Sequence, residues 1–287
     1  MNTPQSTLPA SRPIQHYENF PVASILCPPR LRPPIAAIYH FARTADDIAD
    51  EGSAPAQQRL DELMSMRADL MAVAQGQAHG GRWPHVFGPL AAMIQAFALP
   101  VPLLADLLDA FTQDVIKTRD QATYTDRAEL LDYCRRSANP VGRLLLHLYG
   151  VRDAATLRMS DDICTALQLI NFWQDLSIDI PRGRYYLPLQ DCAEHQVALD
   201  DLKALRQTQN ATTLIASQVR FATDLMQQGA GLVHHIPGRA GWELRLVVQG
   251  GLRIADKIKA LDFATLGQRP KLGPTDVAVM VWRSLWM

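Results

Sequence analysis

Apolar residues along this chain recur at three- and four-residue intervals rather than in alternation. That is the spacing of helices with one inward face. It predicts helices over residues 20–26, 32–51, 55–77, 84–98, 101–119, 126–150, 153–180, 198–206, 210–234, 239–263 and 273–286. Proline and glycine punctuate them at Pro28-Pro29, Gly80-Gly81, Pro100, Gly150, Pro181-Arg182-Gly183, Pro237-Gly238 and Pro270. No alternating stretch of useful length predicts a sheet, no internal repeat is visible, and no linker is long enough to split the chain. One all-α domain over residues 15–287 is expected, preceded by a disordered leader, 1–14, with Pro4, Pro9 and Pro13 among polar residues. Pro33-Pro34 fall at the start of a helix, where proline is tolerated. Pro140, with Gly142, falls inside 126–150 and should kink or break that helix, either as simple packing or as the opening of a cavity.

Polar residues change the picture where they form stripes on such helices. In Tyr39–Glu51, a turn of about 100° per residue puts Tyr39, Arg43, Asp46 and Asp50 within a stripe about 60° wide, with Asp47 off it. Ile38, Ala42, Ala45 and Ala49 form the neighbouring apolar face. Two carboxylates at i, i+4 repel, and the cluster sits at a helix C-terminus, where negative charge is unfavourable. A divalent cation with hard oxygen ligands would compensate, magnesium above all. A solvated acidic patch is the plain alternative.

A second stripe runs through Gln168, Asn171, Asp175 and Asp179, about 80° wide on the same arithmetic. The rest of that helix is apolar (Leu167, Leu169, Ile170, Phe172, Trp173, Leu176, Ile178), so it should be buried, and its polar line needs partners. An ion-pair ladder would also serve, but bases are few before Arg182 and Arg184. Directly afterwards comes Pro181-Arg182-Gly183-Arg184-Tyr185-Tyr186-Leu187-Pro188. It reads either as a lid bringing Arg184 and Tyr186 to a phosphate group or as an exposed turn whose arginines pair with Asp175 or Asp179.

Bulk composition narrows the class. The 287 residues are 48% hydrophobic and 20% charged, enough for a sizeable core. With 28 basic and 29 acidic residues the formal charge is −1, which supports no nucleic-acid partner and shows no polybasic membrane anchor. Cys27, Cys134, Cys164 and Cys192 are scattered, with no CxxC pair. They indicate neither a zinc site nor a disulfide framework and suit a reducing cytoplasm. No signal peptide or membrane span is expected. A greasy substrate could still bring the protein to the inner-membrane surface.

The two stripes and the RxY element, with Tyr133-Cys134 and Val141-Gly142, resemble the squalene/phytoene synthase family from about residue 15 onward. The resemblance implies an all-helical isoprenoid-synthase fold around a central substrate cavity. It implies magnesium between the motifs, held by Asp46, Asp50, Asn171, Asp175 and Asp179, with Gln168 lining the reaction centre. It also implies Tyr39, Arg43, Arg184 and Tyr186 at a diphosphate, and Asn19, Phe20 and Tyr133 as further substrate-binding residues. Three departures from the family's commoner pattern are His16–Ser24, Asn171-Phe-Trp-Gln-Asp175 and Arg135-Arg136-Ser-Ala-Asn139-Pro140. All three are similar to a bacterial branch of hopanoid biosynthesis that converts presqualene diphosphate to hydroxysqualene. That likeness implies functional coupling to a presqualene diphosphate synthase and a hydroxysqualene reductase. The loss of arginine before Asp175 leaves open whether farnesyl diphosphate is also condensed. No GxGxxG follows a predicted strand, so no nicotinamide site is expected. The rivals are an enzyme of the same family making presqualene diphosphate, dehydrosqualene or phytoene, an inactive member acting in assembly, and a helical module binding an apolar ligand.

Overall fold

In a computed structural model, described over residues 27–287, the predicted helices pack in two layers of core around a shared cavity. The leader 1–14, the predicted helix 20–26, and the candidates Asn19 and Phe20 lie outside the described residues. Among the described residues there is no β-strand, only an isolated bridge between Thr123 and Tyr185.

The first layer is α1 (Arg32–Asp50), α2 (Ala56–Ala74), α3 (Pro84–Phe97) and α4 (Val101–Asp120). Pro33 and Pro34 sit in the first turn of α1, and Pro34, Ile38, Phe41, Ala45 and Ala49 make its buried stripe against α3 and α4. The second layer is α5 (Arg127–Ser137), α6 (Asn139–Leu148), α7 (Ala154–Gln174), α8 (Leu176–Asp179), α9 (Leu189–Glu194), α10 (Leu199–Lys203), α11 (Gln209–Gly229), α12 (Arg239–Ala260) and α13 (Pro274–Leu285). α7 is its axis, packed along α11 and touching α5, α6 and α12. Side-chain caps start α5, α7 and α11: Asp126 accepts from the Glu129 N–H, Asp153 from Thr156 and Thr208 from Ala211.

Three features bear on the site: the first is the expected break at Pro140, and the other two depart from the sequence expectation. The predicted helix 126–150 is broken at Ala138, and Pro140 starts α6, where its missing N–H is harmless. The predicted helix 153–180 ends at Gln174 and restarts at Leu176. The short α9 was not predicted, because six residues carry too little periodicity to register. Gly142 lets α6 press onto α7: a Cβ there would stand 2.4 Å from Ser160 Oγ and 2.6 Å from Cys164 Sγ.

Candidate active site

The cavity between the layers has a volume of about 1370 Å³. That exceeds the roughly 300–1,000 Å³ of ordinary small-molecule pockets. One part of its wall is acidic and basic. The rest is apolar, with Ile38, Leu107, Phe111, Leu146, Ile163 and Leu244 among its lining. Tyr39, Arg43, Asp46 and Asp50 reach it from α1, and Gln168, Asn171, Asp175 and Asp179 from α7 and α8. The two stripes read from the sequence therefore open onto one space. The second stripe is not a continuous helix, however: Asp175 is the hinge residue between α7 and α8, outside helical geometry at φ −103°, ψ 10°. Phe172, Trp173 and Leu176 behind it are buried, as their apolar character requires.

Arg184 ties the two motifs together. Its guanidinium donates a pair of hydrogen bonds to Asp50, at 2.9 and 2.6 Å, and lies 3.9 Å from Asp179. Such a fork matches a carboxylate, or a phosphate, with both nitrogens. Arg43 turns to its own helix, pairing with Asp46 at 3.1 Å, Asp47 at 2.7 Å and Glu51 at 2.9 Å. The loop after Asp179 packs down beside the cavity, with Arg184 facing Asp179 as one of the two sequence readings had it. A left-handed Gly183 (φ 79°) turns the chain back, and Tyr186 then stacks on Phe172 with ring centroids 3.7 Å apart. Tyr133 and Tyr124 complete this buried aromatic cluster. Arg182 stays exposed at the rim.

Burial raises the carboxyl groups here. Asp46 is pushed up to about 7, mainly by desolvation and then by the charge of Asp50. About a third of its side chain, 36%, still meets solvent, but that solvent fills a cavity deep in the protein and screens less well than bulk water. Asp179 rises to about 7 through burial and the neighbouring Asp175, and Asp50 rises through burial, opposed by Arg184.

Two participants were missed by the sequence reading. Asp114 lines the cavity from α4, accepts a hydrogen bond from the Tyr133 hydroxyl, and is raised to about 8, chiefly by burial. A signal was present: Leu107, Phe111, Asp114 and Thr118 fall within about 60° on a helix, so a lone carboxylate interrupts an inward stripe. Arg269 pairs with Asp175 through two nitrogens, one at 3.0 Å. It lies in a segment without periodicity, and no local pattern could have found it. Gln174 is buried, turned away from the cavity, and donates to the Pro270 carbonyl at 2.7 Å.

The donor set of Asp46, Asp50, Asn171, Asp175 and Asp179 is hard oxygen throughout and fits a magnesium ion in chemistry. Asp46 and Asp50 on α1 and Asn171, Asp175 and Asp179 on α7 and α8 line the same cavity. Among the described residues no three His, Cys, Asp or Glu side chains converge on one point. Guanidinium groups stand against the carboxylates instead, so binding a metal would require Arg184 and Arg269 to yield.

An all-helical shell around a cavity that is acidic in one part and greasy in the rest defines an isoprenoid-synthase fold. The squalene/phytoene synthase family model matches residues 14–276, and the chain belongs to that family. It is 33% identical over 254 residues to hydroxysqualene synthase of Sinorhizobium fredii, covering 88% of this chain and 82% of that one. It is also 30% identical over 228 residues to phytoene synthase of Mycobacterium tuberculosis, covering 77% and 71%. The crystal structure of squalene synthase HpnC from Alicyclobacillus acidocaldarius matches with a TM-score of 0.78 at 35% identity, over 86% of this chain and 90% of that one.

Proposed function

We propose that the protein is a hydroxysqualene synthase that ionises presqualene diphosphate with magnesium and captures the cation with water. The observation that carries an amphiphilic diphosphate substrate is the single cavity with Asp46/Asp50 and Asp175/Asp179 opposed across Arg184 in one part and apolar side chains in the rest. The choice of presqualene diphosphate rests on the Asn171-Phe-Trp-Gln-Asp175 string and on relatives that bear the hydroxysqualene synthase name. Gln174 supports it, since the residue before Asp175 brings no positive charge to the cavity.

In this reading a bound magnesium supplies positive charge to the departing diphosphate, held by Asp46, Asp50, Asn171, Asp175 and Asp179. Arg184 grips the same group through its fork, stabilising charge that grows as the carbon–oxygen bond breaks. The diphosphate leaves with the bonding electrons. Tyr133, Phe172 and Tyr186 line the cavity beside the acidic region, where an aromatic quadrupole would favour a carbocation. The cyclopropylcarbinyl cation rearranges with opening of its strained ring, and the water oxygen then forms the new carbon–oxygen bond to the rearranged cation and loses its proton to solvent.

The deciding experiment incubates the purified protein with magnesium and either presqualene diphosphate or farnesyl diphosphate, with and without reduced nicotinamide. Hydroxysqualene carrying oxygen from labelled water is expected from presqualene diphosphate alone, unchanged by the nicotinamide. Efficient squalene, dehydrosqualene or phytoene from a simple prenyl diphosphate would overturn the assignment and leave the family standing.

A further inference from the structure

The outer half of α13 is an apolar surface with none of the described residues packed over it. Its inner half is fixed: Asp276, Met280 and Ser284 are buried against α12. Asp276 is held by Arg253 at 2.7 Å and Lys257 at 2.8 Å, and Arg245 donates to the Ser284 and Met287 carbonyls. With its orientation so set, the helix presents Val277, Val281, Trp282, Leu285 and Trp286 to solvent, Trp286 at 76% exposure and Trp282 at 62%. Trp242 extends the patch from α12, with the Arg245 guanidinium 5.0 Å from its ring centroid. Such a contiguous patch marks an interaction site.

The surrounding charge selects the partner. Residues 239–287 hold eight Lys or Arg against four Asp or Glu, in a chain whose formal charge is −1. Two of those acids, Asp256 and Asp276, are already ion-paired. Arg239, one turn before Trp242, and Lys271, three residues before α13, are exposed and form no ion pair among the described residues. Two copies of this face meeting about a dyad would bring like charges together. Anionic headgroups would satisfy them instead, and tryptophan favours the boundary between headgroups and hydrocarbon.

We propose that this face of α13, with Trp242, docks in the plane of an anionic lipid bilayer. The helix has 12 residues, about 18 Å at the usual rise, too short for a hydrocarbon core of about 30 Å but suited to lie in its surface. No helix among the described residues is long and apolar enough to cross a membrane. α12 stands between the docked face and the cavity, which it lines with Ala240, Leu244 and Val247. Docking therefore sets the apolar wall of the cavity next to lipid, the phase that carries a prenyl substrate. That last point rests on the proposed function; the docking itself does not. The sequence carries no polybasic run. The cations of this face left unpaired among the described residues, Arg239 and Lys271, come from separate segments of the sequence.

The test is flotation of the full chain with vesicles of phosphatidylcholine alone or mixed with phosphatidylglycerol, alongside sedimentation of the free protein. Wild type should float with the mixed vesicles, and brominated lipid should quench its exposed tryptophans. Val281→Asp/Leu285→Asp should float about tenfold less or worse with helical content and turnover of detergent-dispersed substrate retained. Arg239→Glu/Lys271→Glu should lose only the preference for anionic lipid. Wild type left in solution with every vesicle, or floating undiminished in the Val281→Asp/Leu285→Asp protein, would overturn the proposal. So would a wild-type dimer that this double variant splits, since that assigns the face to a second copy. Flotation, quenching and sedimentation require no turnover, so failure here is separable from failure of the functional assignment.

Discussion

Replacing Arg184 with lysine isolates what a planar fork does that a point charge cannot. The side chain is largely buried and delivers two hydrogen bonds to Asp50 while standing near Asp179. Lysine keeps the charge, so Asp50 and Asp179 stay offset and the fold should weaken by no more than about one charge-assisted hydrogen bond, roughly 1.5–3 kcal/mol. Turnover should suffer more. A preorganised donor aimed at charge that grows in the transition state is worth about 10²–10³ in rate, so kcat should fall by about that factor, with a smaller change in KM. The assay is steady-state release of diphosphate from presqualene diphosphate, beside urea unfolding of both proteins. Arg182→Lys, at the exposed rim, should fall far less. If Arg184→Lys keeps kcat/KM within about threefold of wild type, the guanidinium is only a strut for Asp50 and its catalytic role is wrong.

Magnesium dependence should be absolute: chelation abolishes turnover, and Asp175→Asn does the same while leaving the helical circular dichroism intact, because an amide still fits beside Arg269. Activity persisting in chelator would remove the metal from the mechanism. Gly229→Ala should destabilise by about 1–3 kcal/mol, since its Cβ would meet the Met159 carbonyl at 2.5 Å where α11 crosses α7. The loss is read as a lower thermal midpoint. Asp276→Asn should cost about 3 kcal/mol at neutral pH, the low end for a broken buried pair because Arg253 and Lys257 keep some solvent. Lys257, the Gly273 N–H and Arg253 hold the Asp276 carboxyl well below the usual range. Its stabilisation is therefore full above the unfolded value near about 4 and fades as pH falls below it, so the wild-type advantage in urea midpoint should shrink toward zero in acid.

The amino-acid pattern alone determined the helical class, nearly every long helix, and the two polar stripes that face the cavity, because periodicity is a local property that packing only has to honour. Even the break at Pro140 was legible, since proline forbids the hydrogen bond that would continue the helix. Tertiary structure decided what the stripes do. Arg184 and Asp50 are 134 residues apart, and Arg269 and Asp175 94. No spacing rule links residues so far apart, and only the packing of α7 and α8 opposite α1 brings these charges together. The same packing buries Tyr186 in an aromatic stack, where the local sequence read equally as a lid or as an exposed turn. It turns Gln174 to the Pro270 carbonyl, gives Asp114 its partner in Tyr133, and leaves half of α13 uncovered. Hydrophobic spacing says that a helix has an inward face. Which neighbour that face meets, and which face is left for another surface, follows from the whole chain at once.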